Sequence, residues 1–264
     1  MDKIILTLTT IPSRLKSSYP DDINSCLSSL LEQSYPDYEI HFNIPLILKT
    51  TGVPYIIPES LIKDERLKIF RTEDWGAGTK IIPTINRISN PETIIIVVDD
   101  DIVYHKELIN EHIKNRIKWP ECPVGYDGMR PRDSFFSDSR NYYFSGTHKN
   151  ARVDILQHYK SVSYLRRFFD DDFFPFVKEY FSWNDDLLFA AYFSMKKRDR
   201  IVTFYDDDIE YQDHDEWLIH VGHTFPIIRN TQHDSKEGCN ILRENKIDDN
   251  GLKLYKFVDN GYTK

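Results

Sequence analysis

Three runs of three aspartates punctuate the sequence, at 99–101, 170–172 and 206–208. Adjacent carboxylates, each with an ordinary pKa of about 3.9, repel one another at neutral pH unless a cation or solvent offsets the charge. A hard divalent ion answers that need, because Mg²⁺ or Mn²⁺ takes one or two carboxylates and fills its other positions with water and substrate phosphates. Only the first run, Asp99, Asp100 and Asp101, directly follows an oily run of β-formers, TIIIVV at 93–98. For three aspartates alone, a solvated acidic turn competes on equal terms. A second acidic pair, Asp185 and Asp186, follows Trp183 and Asn184 and opens an apolar stretch. Acids in a first helical turn favour the helix dipole and Asn184 is a good N-cap, which is the bland account; the chemical one is a general base. Late in the chain stand His214, His220, His223 and His233. The HxxH at His220 and His223 has the look of a zinc pair, yet spacing does not choose among the four.

These groups need a scaffold. The segment 4–10 reads as a strand that Pro12 breaks; Ile23, Cys26, Leu27, Leu30 and Leu31 recur at helical spacing; 38–44 alternates as a strand and 66–71 is a second short one. Residues 79–88 read as a helix ended by Asn90-Pro91, and 93–98 as a strand apolar on both faces, as the centre of a helix-covered parallel sheet requires. The order is β-α-β-β-α-β. A helix over 108–117, a strand at 153–156, a helix at 184–196 and a strand at 200–205 complete the expected elements, followed by a polar tail. In open α/β sheets ligands collect at the carboxyl ends of strands, and the first aspartate run falls at such an end.

The totals agree with one globular α/β domain. The chain has 264 residues, 40% of them hydrophobic, enough for a sizeable core. A formal net charge of -8 disfavours nucleic acid as a partner, since phosphate backbones reward clustered Lys and Arg. Cys26, Cys122 and Cys239 are odd in number and far apart, against a disulfide framework or a zinc cage. The start, MDKIILTLTTIPSRL, reads as a strand rather than a signal peptide, and no window approaches the ~20 apolar residues of a transmembrane segment, so a soluble cytoplasmic protein is expected.

The strand with its acids resembles the DxD segment of GT-A-fold nucleotide-sugar glycosyltransferases, of the glycosyltransferase-2-like kind. Other stretches are similar in the same order: LTLTTIPSRL at 6–15 to an opening strand and nucleotide-contacting loop, LSSLLEQSYPDYEIHFNI at 27–44 to the first helix and second strand, and WGAGTKIIPTI at 75–85 to a GPATK-LIP segment. VDILQHYKSVSYLRRFF at 153–169 resembles a VDVL-x-G-x-x-G-VLY pattern, with His158 and Ser161 where that pattern has glycines, and WNDDLLFAAYFS at 183–194 looks like the acidic pair that opens a catalytic helix. The resemblance covers roughly the first 200 residues.

It implies a GT-A (Rossmann-like) mixed, mainly parallel sheet flanked by helices, in a single domain with a polar C-terminal tail. Residues 1–118 would form the nucleotide-binding half, 119–205 the acceptor and catalytic half, and 206–264 a tail closing over the site. It implies a metal-dependent, inverting transfer of a sugar from a nucleoside-diphosphate sugar, a UDP-sugar above all, to a hydroxyl of a glycan or other acceptor. Asp101 and Asp99, with His233 from the tail as third ligand, would hold Mn²⁺ or Mg²⁺. Asp99 and Asp100, with Thr9, Thr10, Arg14, Thr79 and Lys80, would contact the donor. Asp186, or Asp185 beside it, would be the base, and the loop 126–146, rich in Arg and Tyr, would shape the acceptor side. Two rivals stand beside this reading. Sugar-nucleotide nucleotidyltransferases share the α/β order but carry a Gly-rich basic loop that TTIPSRLKSS lacks, and a calcium-stabilised carbohydrate-binding module would use the aspartate runs structurally.

Overall fold

The computed structural model describes residues 3–16, 23–130, 142–143, 150–181, 184–203 and 218–220. Four neighbouring strands run parallel: β1 (Ile4–Leu8), β2 (Tyr38–Pro45), β3 (Leu67–Thr72) and β4 (Ile94–Val97). Every residue of β1 and β4 is buried, so these strands read as continuous apolar runs rather than alternating ones. Helix α1 (Ile23–Leu31) turns Ile23, Cys26, Leu27 and Leu30 inward, and α3 (Leu108–Lys118) does the same with Leu108, Ile109 and His112. The short α2 (Ile82–Arg87) has its proline in the first turn, where a missing N–H costs nothing.

The main sheet has eight strands in the order β3-β2-β1-β4-β11-β6-β12-β9. Strand β11 (Val162–Leu165) lies antiparallel to β4, pairing Val162 with Val97 and Leu165 with Ile94, and joins the parallel half to β6 (Val124–Gly125), β12 (Arg200–Val202) and β9 (Ala151–Val153). Strands β7 (Gly128–Arg130), β8 (Tyr142–Tyr143) and β10 (Ile155–Leu156) form a small second sheet, and β5 (Ile102–Tyr104) pairs with β13 (Leu218–His220). Helices α4 (Phe173–Glu179) and α5 (Asp185–Met195) pack over the antiparallel half. An aromatic cluster lies here: Tyr164, Phe169, Phe173, Phe189, Tyr192 and Phe193 contact one another edge-on, tilted or stacked. The fold is therefore a mixed, mostly parallel sheet flanked by helices.

Two expected elements are corrected. The strand at 153–156 is two segments separated at Asp154 and placed in different sheets. The helix at 79–88 is a 3-10 turn, Gly76–Lys80, followed by α2, because Thr79 bonds back across its own turn: its Oγ1 accepts the Trp75 N–H at 2.7 Å while Asp74 accepts that of Gly76 at 2.8 Å. The central strand β11 and the helix α4 were not anticipated; both sit in the segment where aromatic and charged residues obscure periodicity.

Candidate functional site

The strand order reverses at β1, whose neighbours β2 and β4 lead the chain to opposite sides, and a crevice opens at the carboxyl ends of such a pair. Asp99, Asp100 and Asp101 leave β4 at this point. Their turn is held from below: Cys26 Sγ donates to Asp99 O at 3.3 Å, and the Asp99 N–H donates to Tyr104 Oη at 2.7 Å, which in turn donates to Tyr159 O at 3.1 Å. The loop after β1 supplies Thr10, whose hydroxyl donates to Asp100 Oδ2 at 2.5 Å, and Arg14, whose guanidinium pairs with Asp100 Oδ1 and lies 2.9 Å from Asp101 Oδ2. Both oxygens of Asp100 are thus taken by the chain itself.

Lys80 enters from the turn before α2. Its carbonyl accepts from Thr7 Oγ1 at 2.5 Å and Asn43 Nδ2 at 3.1 Å, and Arg87 donates to Asn43 Oδ1 at 2.7 Å, so β1 and β2 grip the residue through a buried polar network. Its Nζ then spans 2.7 Å to Asp99 Oδ1 and 3.1 Å to Asp185 Oδ2. Asn184 caps α5, its Oδ1 accepting from Leu187 N at 2.9 Å, and this sets Asp185 and Asp186 in the first turn. His158, buried beneath them, brings Nδ1 within 2.8 Å of Asp185 Oδ2 and 2.8 Å of Asp186 Oδ1; its backbone N–H also donates to Asp186 Oδ1 at 3.0 Å. Its Nε2 meets Tyr164 Oη at 2.8 Å.

The electrostatics separate the acids. Burial disfavours a charged imidazole at His158, but the field of Asp185 and the hydrogen bonds of both aspartates overcome it and raise its pKa to about 9. Burial alone would raise Asp185; Lys80 and His158 outweigh it and hold the carboxyl well below the usual range. Asp186 goes the other way, pushed up by burial and by the charge of Asp185. Asp101 is raised to about 7, burial first, with Arg14 opposing and Asp100 and Asp99 reinforcing. Asp185 has 8% of its side chain exposed and Asp186 has 26%, so Asp186 is the acid of the pair that a second molecule can reach.

The cluster holds five carboxylates, at 99, 100, 101, 185 and 186, against three cations, Arg14, Lys80 and His158. With all five ionised, the excess of two negative charges would match a divalent ion, whose charge would in turn favour the ionised form of Asp101. Asp99 and Asp101 fit such an ion: each gives one oxygen to an internal cation and keeps 26% and 28% of its side chain exposed. Asp100 does not, since both its oxygens are bonded and its side chain is 10% exposed. His158, Asp185 and Asp186 also bring one ligand atom each within 4.8 Å of one another, but Lys80 and the imidazole already balance those two acids. Arg14 and Lys80 relieve part of the repulsion among residues 99–101 from within.

The structure brings Thr10, Arg14, Lys80, Asp99, Asp100, Asp101, Asp185 and Asp186 into one connected cluster. Thr9 and Thr79 lie beside it with their hydroxyls otherwise engaged, Thr9 donating to Asn43 O at 2.7 Å and Thr79 fully buried within its turn. His214, His223, His233 and most of the loop 126–146 lie outside the described residues, as do Trp183 and the third aspartate run. His220 stands in register with Ile102, the residue after Asp101. The second aspartate run precedes α4, with Lys196 Nζ 2.7 Å from Asp170 and 2.6 Å from Asp172 on a solvated surface. Sequence reasoning singled out His158 only as a departure from a glycine, and missed Tyr164, Thr7 and Asn43, since none of these three carries a local signal. At Ser161 the glycine of the similar pattern survives as backbone: φ is 79°, the left-handed region, and its Oγ is 2.8 Å from His112 Nε2.

No protein-family model matches the sequence, and no curated protein matches it. Among solved structures the chain is similar to S. aureus TarS 1-349, at TM-score 0.47 and 15% identity over 78% of this chain and 58% of that one. It is similar to the 4-diphosphocytidyl-2C-methyl-D-erythritol synthase of Anaerococcus prevotii DSM 20548, at TM-score 0.47 and 13% identity over 81% of this chain and 92% of that one. S. aureus TarS 1-349 in complex with UDP-GlcNAc gives TM-score 0.46 and 12% identity over 78% and 56%. The chain therefore spans less than two thirds of the TarS fragment.

Proposed function

We propose that the chain is a glycosyltransferase that moves a sugar from a nucleoside-diphosphate sugar, a UDP-sugar first, to a hydroxyl of a glycan or other acceptor, with inversion. The observation that carries this reading is Lys80, whose one ammonium joins Asp99 at the end of β4 to Asp185 at the start of α5. It ties acids suited to a diphosphate and its counter-ion to an acid pair suited to proton transfer. Asp99 and Asp101 would hold Mn²⁺ or Mg²⁺, which when bound supplies positive charge to a donor's diphosphate. His220, in register with Ile102, or His233 would supply the third ligand.

The residues of the chain divide the remaining work. Arg14 and Lys80 bring positive charge to the crevice where charge develops on the leaving nucleotide. Asp186, partly exposed and with its affinity for protons raised, takes the proton of the acceptor hydroxyl. The acceptor oxygen then bonds to the anomeric carbon while that carbon's bond to the phosphate oxygen breaks, its electron pair leaving with the nucleoside diphosphate. Asp185, ionised and paired on both sides, stabilises Lys80 and His158 rather than exchanging protons.

Incubation with Mn²⁺ and each common nucleotide sugar, with and without sugar acceptors, tests the reading. Release of nucleoside diphosphate, abolished in Asp186→Asn with UDP binding retained, is the expected result. Release of pyrophosphate from a nucleoside triphosphate and a sugar phosphate would instead make the protein a nucleotidyltransferase, and no release with any donor would leave only a binding role.

A further inference from the structure

We infer that His158 is a positioning residue for the base Asp186: its ring Nδ1 and its own backbone N–H together anchor Asp186 Oδ1, with Tyr164 holding the ring from behind. The inference rests on the transfer reading above and deepens it. The backbone N–H donates to Asp186 Oδ1 at 3.0 Å, and the ring Nδ1, hydrogen-bonded to Asp185, lies 2.8 Å from the same oxygen as an ion pair, so both contacts of His158 fix the place of Oδ1. The ring has little freedom to do otherwise. It is 1% exposed, Phe189 stands edge-on to it at 5.4 Å and 89°, and Tyr164 Oη occupies its far nitrogen at 2.8 Å. The same Nδ1 reaches Asp185 Oδ2, itself tied to Lys80, so the orientation of Asp186 is referred back through Asp185 and Lys80 to Asp99 at the donor end of the crevice. A proton acceptor displaced by about 1 Å loses on the order of a hundredfold in rate, so such an anchor is felt in turnover rather than in donor binding.

The experiment compares His158→Ala, His158→Asn, Tyr164→Phe and Asp186→Asn for transfer kinetics and, by calorimetry, for UDP binding in the presence of Mn²⁺. His158→Asn keeps an N–H donor near the place of Nδ1. We expect His158→Ala to lower kcat about a hundredfold with donor KM and UDP affinity within about twofold, His158→Asn to recover about tenfold of that, and Tyr164→Phe to lose about threefold. Thermal melts identify any variant that fails to fold, and Tyr164→Phe, which removes one hydroxyl, keeps the test open if His158→Ala does. Full turnover in His158→Ala, or a loss in UDP affinity parallel to that in kcat, overturns the positioning role while an inactive Asp186→Asn leaves the transfer reading standing. Retained turnover in Asp186→Asn overturns both.

Discussion

Lys80 Nζ lies 3.1 Å from Asp185 Oδ2, linking a turn near the start of the chain to a helix more than a hundred residues later. The same nitrogen is 2.7 Å from Asp99. A buried ammonium shared by two carboxylates is costly to remove, because what remains is uncompensated negative charge.

Lys80→Met should therefore destabilise the protein by about 3–5 kcal/mol, measured by urea unfolding. Adding Asp185→Asn in the same chain should recover part of that loss. A single variant as stable as the parent would show that Lys80 does not carry the bridge.

The three aspartates at 99–101 are not equivalent. Asp101→Asn is expected to weaken manganese-dependent UDP binding at least about tenfold, with little change in melting temperature. Asp100→Asn should do the reverse and lower stability, since it loosens the buried pair with Arg14 and the bond from Thr10. Calorimetry with UDP and Mn²⁺, beside thermal melts of both variants, separates the two; equal effects on binding would refute the distinction.

Stability should fall in alkali. His158 is raised from 6.5 to about 9, so the stabilisation from its charged pairs is present in full below about pH 6.5 and is lost as the pH rises through about 9. Urea midpoints measured between about pH 6 and about pH 10 should decline across that window in the parent and decline less in His158→Asn. An unchanged slope in the variant would mean that another group sets it.

Asn43→Ala removes the amide that donates to the Lys80 carbonyl, Thr84 Oγ1 and Thr7 Oγ1, and takes away one of the acceptors of Arg87, all in the interior between β2 and α2. A loss of about 1–3 kcal/mol is expected, with UDP affinity reduced if the backbone of Lys80 shifts. Unfolding curves and UDP titrations of this one variant report both.

The parallel half of the fold could be read from the chain because each of its elements buries a periodic apolar face: α1 by its spacing, β1 and β4 by their continuous runs. The antiparallel half was less legible. Strand β11 has the sequence VSYL and α4 the sequence FFPFVKE, in which aromatics serve a shared core rather than a face of fixed period. The side chains of Thr79 and Lys80 could be singled out as a pair, yet one closes its own turn and the other crosses the crevice.

By itself the sequence determined which groups were available: three acids at the end of an oily strand, a capped acidic pair opening a helix, an arginine and a lysine after short turns. Local patterning suffices for that, since an element's period and its terminating residues are written within a few positions of one another. Only the tertiary structure decided how these charges meet. That His158 serves two aspartates, that Arg14 satisfies Asp100, and that Lys80 joins two distant acids depend on side chains brought together by strand order, and pairing energies of buried ions depend on separations and solvent exclusion that no local pattern encodes.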